Sequence, residues 1–282
     1  MLNERQLQEI EDLQHLCEKT DHLSLKLNGD MLKMDTRPPD RDHFYYENGQ
    51  LVGFAALYSF GSQYEVCGMV HPEFRRRGIF TRLWEEALAS IDLAPTTTIL
   101  LNAPQASVSA RAWLKTIRCR YEFSEHEMAW HADTADEMPQ AAGQSVSVSY
   151  RPYEPGDRDT ILELCSDGFD TSEEDTQAML DEESRNVNRV RSMVVYKGRA
   201  VGTFVMDYDT PAQAWVFGFV IERSSRGQGF GRSILAQIIR RENESGRRPY
   251  IGVETQNENA LHLYESCGFR SYAVQDYYDF GL

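Results

Sequence analysis

Residues 215–241 read WVFGFVIERSSRGQGFGRSILAQIIRR, and this stretch decides the fold. Its first seven residues are an apolar run that reads as a strand. Its second half places Phe230, Ile234, Leu235, Ile238 and Ile239 at helical spacing, with Arg232, Gln237, Arg240 and Arg241 on the other side. Between the two lies Arg226-Gly227-Gln228-Gly229-Phe230-Gly231. Glycines let the backbone turn tightly with its N–H groups exposed. A helix start adds unpaired N–H groups and a partial positive charge. Strand, glycine loop and helix together predict a cradle for phosphate.

The motif next in the chain narrows the ligand. The loop lacks the Gly-Lys-Ser/Thr of a P-loop, and its glycine spacing differs from the Gly-x-Gly-x-x-Gly of dinucleotide folds. Glu254 stands at about the distance of a ribose-binding acid, but the loop sits mid-domain rather than after a first strand. Residues 251–269, IGVETQNENALHLYESCGF, read as strand, Asn-rich helix start, short helix and glycine stop. Arg-x-x-Gly-x-Gly followed by Asn-x-Asn-Ala-x-x-x-Tyr-x-x-x-Gly-Phe resembles the GCN5-related N-acetyltransferase (GNAT) family.

Composition bounds the remaining classes. The chain has 282 residues, enough for two ordinary domains. No apolar run approaches the roughly 20 residues of a membrane span, and the first residues show no signal-peptide pattern. The five cysteines are scattered without a Cys-x-x-Cys, which argues against disulfides and zinc and for a reducing cytoplasm. The seven histidines form no metal spacing, so no metal is expected. A net charge of −15 disfavours nucleic acid and suits either a cationic partner or simple solubility. The sequence is silent on oligomeric state.

A repeat organises the rest. An apolar run, a turn glycine, Val-Gly and a second apolar run occur around Gly49 and Gly53, and again around Gly198 and Gly202, at an offset of 149. Gly78 aligns with Gly229 at an offset of 151. Two copies of one fold are expected: a domain over 1–131, a polar linker over 132–145, and a domain over 146–282. Each copy reads as mixed α/β, with a mostly antiparallel central sheet flanked by helices. The first copy opens with a helix over about 1–26 and lacks the opening strand that 146–150 supplies to the second. In the first copy 65–70 is the loop strand, and HPEFRRRGIF (71–80) is the loop. Phe80, Leu83, Trp84 and Ala87 then share one helix face, and 120–130 reads as a closing strand pair. The two copies are expected to pack together.

The resemblance implies acetyl transfer from acetyl-CoA to an amine. The cofactor would thread between the glycine-loop strand and the next one. Backbone groups of Phe219, Val220 and Ile221 would hold the pantetheine arm, and the N–H groups of Arg226, Gly227, Gln228, Gly229, Phe230 and Gly231 the pyrophosphate, with Arg232 alongside. Asn257 and Asn259 would steady the cofactor, or merely cap their helix. Tyr264 falls where the family places the general acid that protonates the leaving thiolate, although it could also pack the helix on the sheet. The usual strand glutamate is missing, because Trp215 stands at its position. Glu254 is the substitute base, with Asp207, Asp209 or a water chain as alternatives. The acidic stretch from Asp167 to Glu183 suggests a cationic small molecule or peptide as acceptor, or else a solvated helix face.

In the first copy the corresponding cofactor residues are Met69, Val70, Arg75, Arg76, Arg77, Gly78 and Ile79. It departs from the family pattern at Arg76, usually glycine, and at Phe80, usually glycine or alanine. Leu114 replaces the tyrosine, Ser107 and Ser109 replace the asparagines, and the strand carboxylate position falls on Tyr64 beside Glu65. The copy reads as a scaffold that keeps a CoA cradle, with a second active site as the alternative. For the whole chain, a non-catalytic CoA-binding sensor and an acyltransferase using another acyl-CoA remain as alternatives.

Overall fold

The computed structural model describes residues 2–34, 37–60, 63–91, 97–131, 147–169 and 171–281. The expected linker, 132–145, lies outside the described residues. In chain order the first half contains helices α1 (Glu4–Asp21) and α2 (Gly29–Leu32) and strands β1 (Asp42–Glu47), β2 (Gln50–Phe60) and β3 (Gln63–Val70). It continues with α3 (Ile79–Ala89), β4 (Thr98–Pro104), α4 (Val108–Leu114) and β5 (Arg120–Trp130). The second half contains β6 (Val148–Pro152), α5 (Arg158–Phe169), α6 (Glu173–Glu183), β7 (Arg189–Tyr196), β8 (Arg199–Asp207) and β9 (Gln213–Ile221). It closes with α7 (Phe230–Glu244), β10 (Arg248–Glu254), α8 (Glu258–Ser266) and β11 (Phe269–Asp279).

These elements form two compact units, Met1–Glu125 with Ala273–Leu282, and His126–Tyr272. The units differ from the limits that the sequence repeat suggests, because the closing strands change places. In the first unit the strand beside β4 is not β5, which follows in the chain, but residues 275–279 of β11. In the second unit β5 stands beside β10. Apolar side chains follow the same exchange. Tyr278 and Phe280 pack with Trp84, Ile99 and Leu101, whereas Met128 and Trp130 pack with Ile234, Ile251 and Phe269.

Both sheets are mostly antiparallel. In the first, β1-β2-β3 is antiparallel and β3-β4 parallel. In the second, β6-β7-β8-β9 is antiparallel and β9-β10 parallel. Each hairpin turns on a pair of left-handed residues, Asn48-Gly49 and Lys197-Gly198, the geometry that matches the right-handed twist of the flanking strands. The α7 core face is the predicted one, Phe230, Ile234, Leu235, Ile238 and Ile239. On α3 the buried face is Ile79, Leu83, Trp84 and Ala87, so Ile79 takes the place expected of Phe80. Residues 120–130 are one strand of 11 residues rather than a pair, since no glycine, proline or asparagine interrupts RYEFSEHEMAW.

Candidate functional site

In both units the glycine-loop strand parts from its parallel neighbour. β9 and β10 pair from Gln213–Arg248 to Val216–Ile251 and no further. Residues 217–221 stay with β8, with a register shift opposite Thr203 to Val205 and Gly218 at φ +54°. The Phe219, Val220 and Ile221 backbone lies beyond the end of the ladder with β10. β3 and β4 likewise pair from Gln63–Thr98 to Val66–Leu101 and then separate, while β3 keeps an even register with β2 as far as Val70. A slot with unpaired backbone on one wall is what an extended, amide-bearing chain requires.

The two loops below the slots follow the same backbone path. Arg226 is extended at φ −67°, Gly227 lies at +76°, and Gly229 at +84° caps α7. In the first unit Arg75 is extended at −64°, Arg76 lies at +65°, and Gly78 at +76° caps α3. Arg76 therefore occupies the left-handed conformation for which the second copy uses glycine, at a cost of roughly 1 kcal/mol. No atom lies within 4 Å of a Cβ built on Gly78, Gly227 or Gly229. The glycines are thus set by φ rather than by a close neighbour. Gln228 donates from Nε2 to the Ser224 carbonyl at 3.3 Å, and Phe230 buries its ring against Tyr196.

The first arginine of each loop has a structural post that sequence did not reveal. Arg226 Nε donates to the Ile221 carbonyl at 2.8 Å, and its guanidinium reaches Asp167 near the end of α5 at 3.5 Å. Arg75 Nε donates to the Val70 carbonyl at 3.0 Å and pairs with Asp21 at the end of α1 at 2.7 Å. Each arginine side chain ties strand end, loop and first helix together. Arg223 also pairs with Asp167, at 3.2 Å. The two aspartates are legible only after the arginines are aligned.

The second unit places its proton-handling candidates on α8 and β10. Tyr264 is 5% exposed and packs in the main apolar core near Phe269. Burial, then neighbouring Cys267, pushes its phenol well above the usual value, so it stays protonated at neutral pH. Glu254 is exposed at the end of β10. Asp207 is buried and paired with Arg189 at 2.8 Å, and it accepts from the Asp209 N–H. Asn257 caps α8, accepting from the Ala260 N–H at 3.2 Å, and Asn259 is exposed in its first turn. Much of the acidic stretch is already partnered. Glu183 holds Arg191, Asp175 accepts from Ser172, and Asp181 accepts from Gln177.

The first unit holds a cavity of about 320 Å³ in its slot. Met69 and Val70 of β3, Asn102 and Ala103 of β4, the Arg75–Ile79 loop, Phe80 and Trp113 are among its walls. Ser107 caps α4 as Asn257 caps α8, accepting from the Ala110 N–H at 3.2 Å. Leu114, 5% exposed, lines the cavity at the position of Tyr264. Arg76 also lines it and, among the described residues, makes no ion pair, whereas Arg77 reaches Glu47 at 3.4 Å. Glu65 is buried and already engaged, accepting from Cys67 Sγ at 3.1 Å and Asn28 Nδ2 at 3.4 Å.

Phe80 has a physical explanation in the fold. A Cβ on Gly68 would stand 2.7 Å from the Phe80 ring and 2.5 Å from the Phe54 carbonyl oxygen. The second unit has Phe219 at the strand position and Gly231 at the helix position, with Phe219 3.8 Å from a Cβ built on Gly231. One aromatic ring fills the same gap from the helix in one copy and from the strand in the other.

Comparisons with known proteins agree with this geometry. The model described as "Acetyltransferase (GNAT) family" matches residues 158–269, and that described as "Acetyltransferase (GNAT) domain" matches residues 39–113. No curated protein matches the chain in sequence. Among solved structures, a GCN5-related N-acetyltransferase from Sphaerobacter thermophilus superposes with a TM-score of 0.76 at 20% identity, covering 96% of this chain and 91% of its own. A tandem GNAT protein from the clavulanic acid biosynthesis pathway gives 0.73 at 17% identity, covering 98% and 95%. An acetyltransferase of the same family from Colwellia psychrerythraea gives 0.63 at 15%, covering 96% and 97%. At these identities the structures establish the fold, and the two family matches establish the kinship. The chain belongs to the GNAT family of acetyl-CoA-dependent acetyltransferases and carries two of its domains in tandem.

Proposed function

We propose that the chain is an amine N-acetyltransferase whose transfer step takes place in the second domain. The observation that carries this reading is the conjunction found there: a bulged, splayed β9, a glycine loop at its end, and a buried protonated Tyr264 on the helix that follows β10. Acetyl-CoA supplies the acyl thioester. The backbone of Phe219, Val220 and Ile221, on the edge away from β8, holds the pantetheine arm and offers N–H groups to the oxyanion. The cradle from Arg226 to Gly231, with Arg232 beside it, holds the pyrophosphate. Asn257 and Asn259 shape the helix start next to it.

Attack by the amine nitrogen on the thioester carbonyl forms the C–N bond, and collapse breaks the C–S bond. Tyr264 gives its proton to the departing sulfur. The proton lost by the amine goes to Glu254 or to solvent. Asp207 is a poor base because Arg189 holds it. A cationic small molecule or peptide remains the proposed acceptor, on the net charge of −15. All five cysteines are free, in keeping with a reducing cytoplasm. Among the described residues no helix is long and apolar enough to cross a membrane.

The test is release of CoA thiol from acetyl-CoA against a panel of polyamines, aminoglycoside-like amines and basic peptides. Amine-dependent release that falls sharply in Tyr264→Phe supports the reading. Release that is unchanged in that variant removes Tyr264 as the acid. A second reading has its own observation. The 320 Å³ cavity lies in the first domain, which favours a CoA-binding role for that domain, built on Met69, Val70 and the Arg75–Ile79 loop, beside the transfer in the second.

A further inference from the structure

The first domain's slot contains a polar group with nothing to bind. Asn102 Nδ2 is buried and has no hydrogen-bond partner. A buried amide N–H left unpaired costs about 1–3 kcal/mol, and Asn102 lines the cavity. Its position in the slot is specific. Leu101 is the last β4 residue paired with β3, so Asn102 is the first residue past the point where the strands part. At the other end, Arg76 and the left-handed Gly78 open the phosphate cradle. The stretch 67–70 between them spans roughly 13 Å at about 3.3 Å per residue. A pantetheine arm anchored by its phosphate at the loop therefore brings its sulfur end to the apex, beside Asn102. Val66, Leu101 and Leu114 are apolar parts of the same lining. In the second domain the corresponding position is Gly252, which has no side chain to donate.

We propose that the first domain is a binding site selective for acylated over free CoA, and that Asn102 Nδ2 donates a hydrogen bond to the acyl carbonyl of the bound thioester. Asn102 is the residue that reads the acylation state. Leu114 stands in the place of the tyrosine acid and has no proton to give to a departing sulfur. The site thus retains its acyl-CoA, while the second domain transfers the acyl group of its own bound copy. The inference rests on the reading that the first domain holds CoA.

The experiment is isothermal titration of the full chain carrying Gly229→Glu, which disables the second cradle. The probes are acetyl-CoA, CoA, and S-ethyl-CoA, a thioether of the same length without the carbonyl. The expected result is acetyl-CoA binding at least about tenfold tighter than either analogue, the scale of one hydrogen bond to a buried donor. Asn102→Asp and Asn102→Leu should each abolish the preference and leave CoA affinity unchanged. A chemical shift of acetyl-CoA labelled with ¹³C at the carbonyl, seen with Asn102 and absent with Asn102→Leu, reads the same contact. Equal affinity for the three probes, or a preference that survives both substitutions, overturns the assignment of Asn102 while leaving the CoA site standing. No binding of any probe, with Gly78→Glu changing nothing, overturns the CoA site itself.

Discussion

The two glycine loops are nearly the same object in different surroundings. Arg75 and Arg226 both tie a strand end to an aspartate on the first helix of their domain. The left-handed turns coincide position by position, with Arg76 matching Gly227 and Gly78 matching Gly229. What differs is the chemistry facing each slot. The second domain has a bulge at Gly218 and a buried tyrosine. The first has a regular strand, a leucine in place of the tyrosine, an unsatisfied asparagine amide and an open cavity. The comparison teaches that the loop's backbone conformation outlasts changes in its side chains. On the proposed reading, proton transfer rests on Tyr264 alone, and Leu114 cannot replace it.

The largest expected effects test this division of labour. Gly229→Glu places a carboxylate in the second cradle at a left-handed position, and acetyl transfer should fall by at least about a hundredfold. Gly78→Glu should remove CoA binding by the first domain and leave turnover intact. Thiol-release kinetics beside calorimetry check both, and equal damage to turnover by the two variants would break the comparison. Next, Tyr264→Phe should lower kcat by about a hundredfold or more with the KM for acetyl-CoA little changed. Because burial raises the Tyr264 phenol above its ordinary 10.0, the wild-type rate should show no alkaline decline below that pH.

A smaller effect tests the exchanged ring. Gly68→Ala puts its Cβ 2.5 Å from a backbone oxygen and should destabilise by about 2 kcal/mol in urea unfolding. Removing the Phe80 ring in a Gly68→Ala/Phe80→Ala chain should not rescue it. Gly231→Ala meets only the end of the Leu263 side chain, at 3.0 Å, and should cost less than about 1 kcal/mol. Smaller again, Arg76→Gly should raise stability by up to about 1 kcal/mol through relief of its positive φ, and Gly227→Arg should do the reverse.

The smallest effect concerns a tie present in the second domain. Tyr208 donates to Glu242 at 3.0 Å, and Glu242 holds Arg247 at 2.7 Å, whereas Ile91 stands at the position of Glu242 in the first copy. Burial and then Glu242 push the Tyr208 phenol up to about 12. A raised folded pKa favours the protonated form. Its contribution is therefore complete below the unfolded value of 10.0 and disappears as pH rises through about 12. The fall in Tm across that window should be slightly smaller in Tyr208→Phe.

Much of this was legible without coordinates. The strand–loop–helix at 215–241, the Asn48-Gly49 hairpin, the α7 core face and the duplication all follow from periodicity and glycine spacing, which local sterics and one-face burial enforce on any chain. Gly68 opposite Phe80 and Phe219 opposite Gly231 were also present in the aligned repeats. Their meaning appears only once the strand and helix are known to face each other. Asn102 gave no signal because an amide on a strand is ordinary until its donor is seen to be buried and unpaired. Asp21 and Asp167 are two acids among many until the arginines of the loops reach them.

By itself, then, the sequence determined the family, the two copies, the glycine turns of the loops and the core face of α7. These depend on contacts between near neighbours along the chain and on which face of an element is apolar. Tertiary structure alone decided which closing strand joins which sheet, where the slots part, and which polar groups are left wanting a partner. β5 and β11 are two strands of 11 residues, each closing its half of the chain. The choice between them is made by the side chains they meet, Trp84 and Ile99 for the end of β11 and Ile234 and Ile251 for the end of β5.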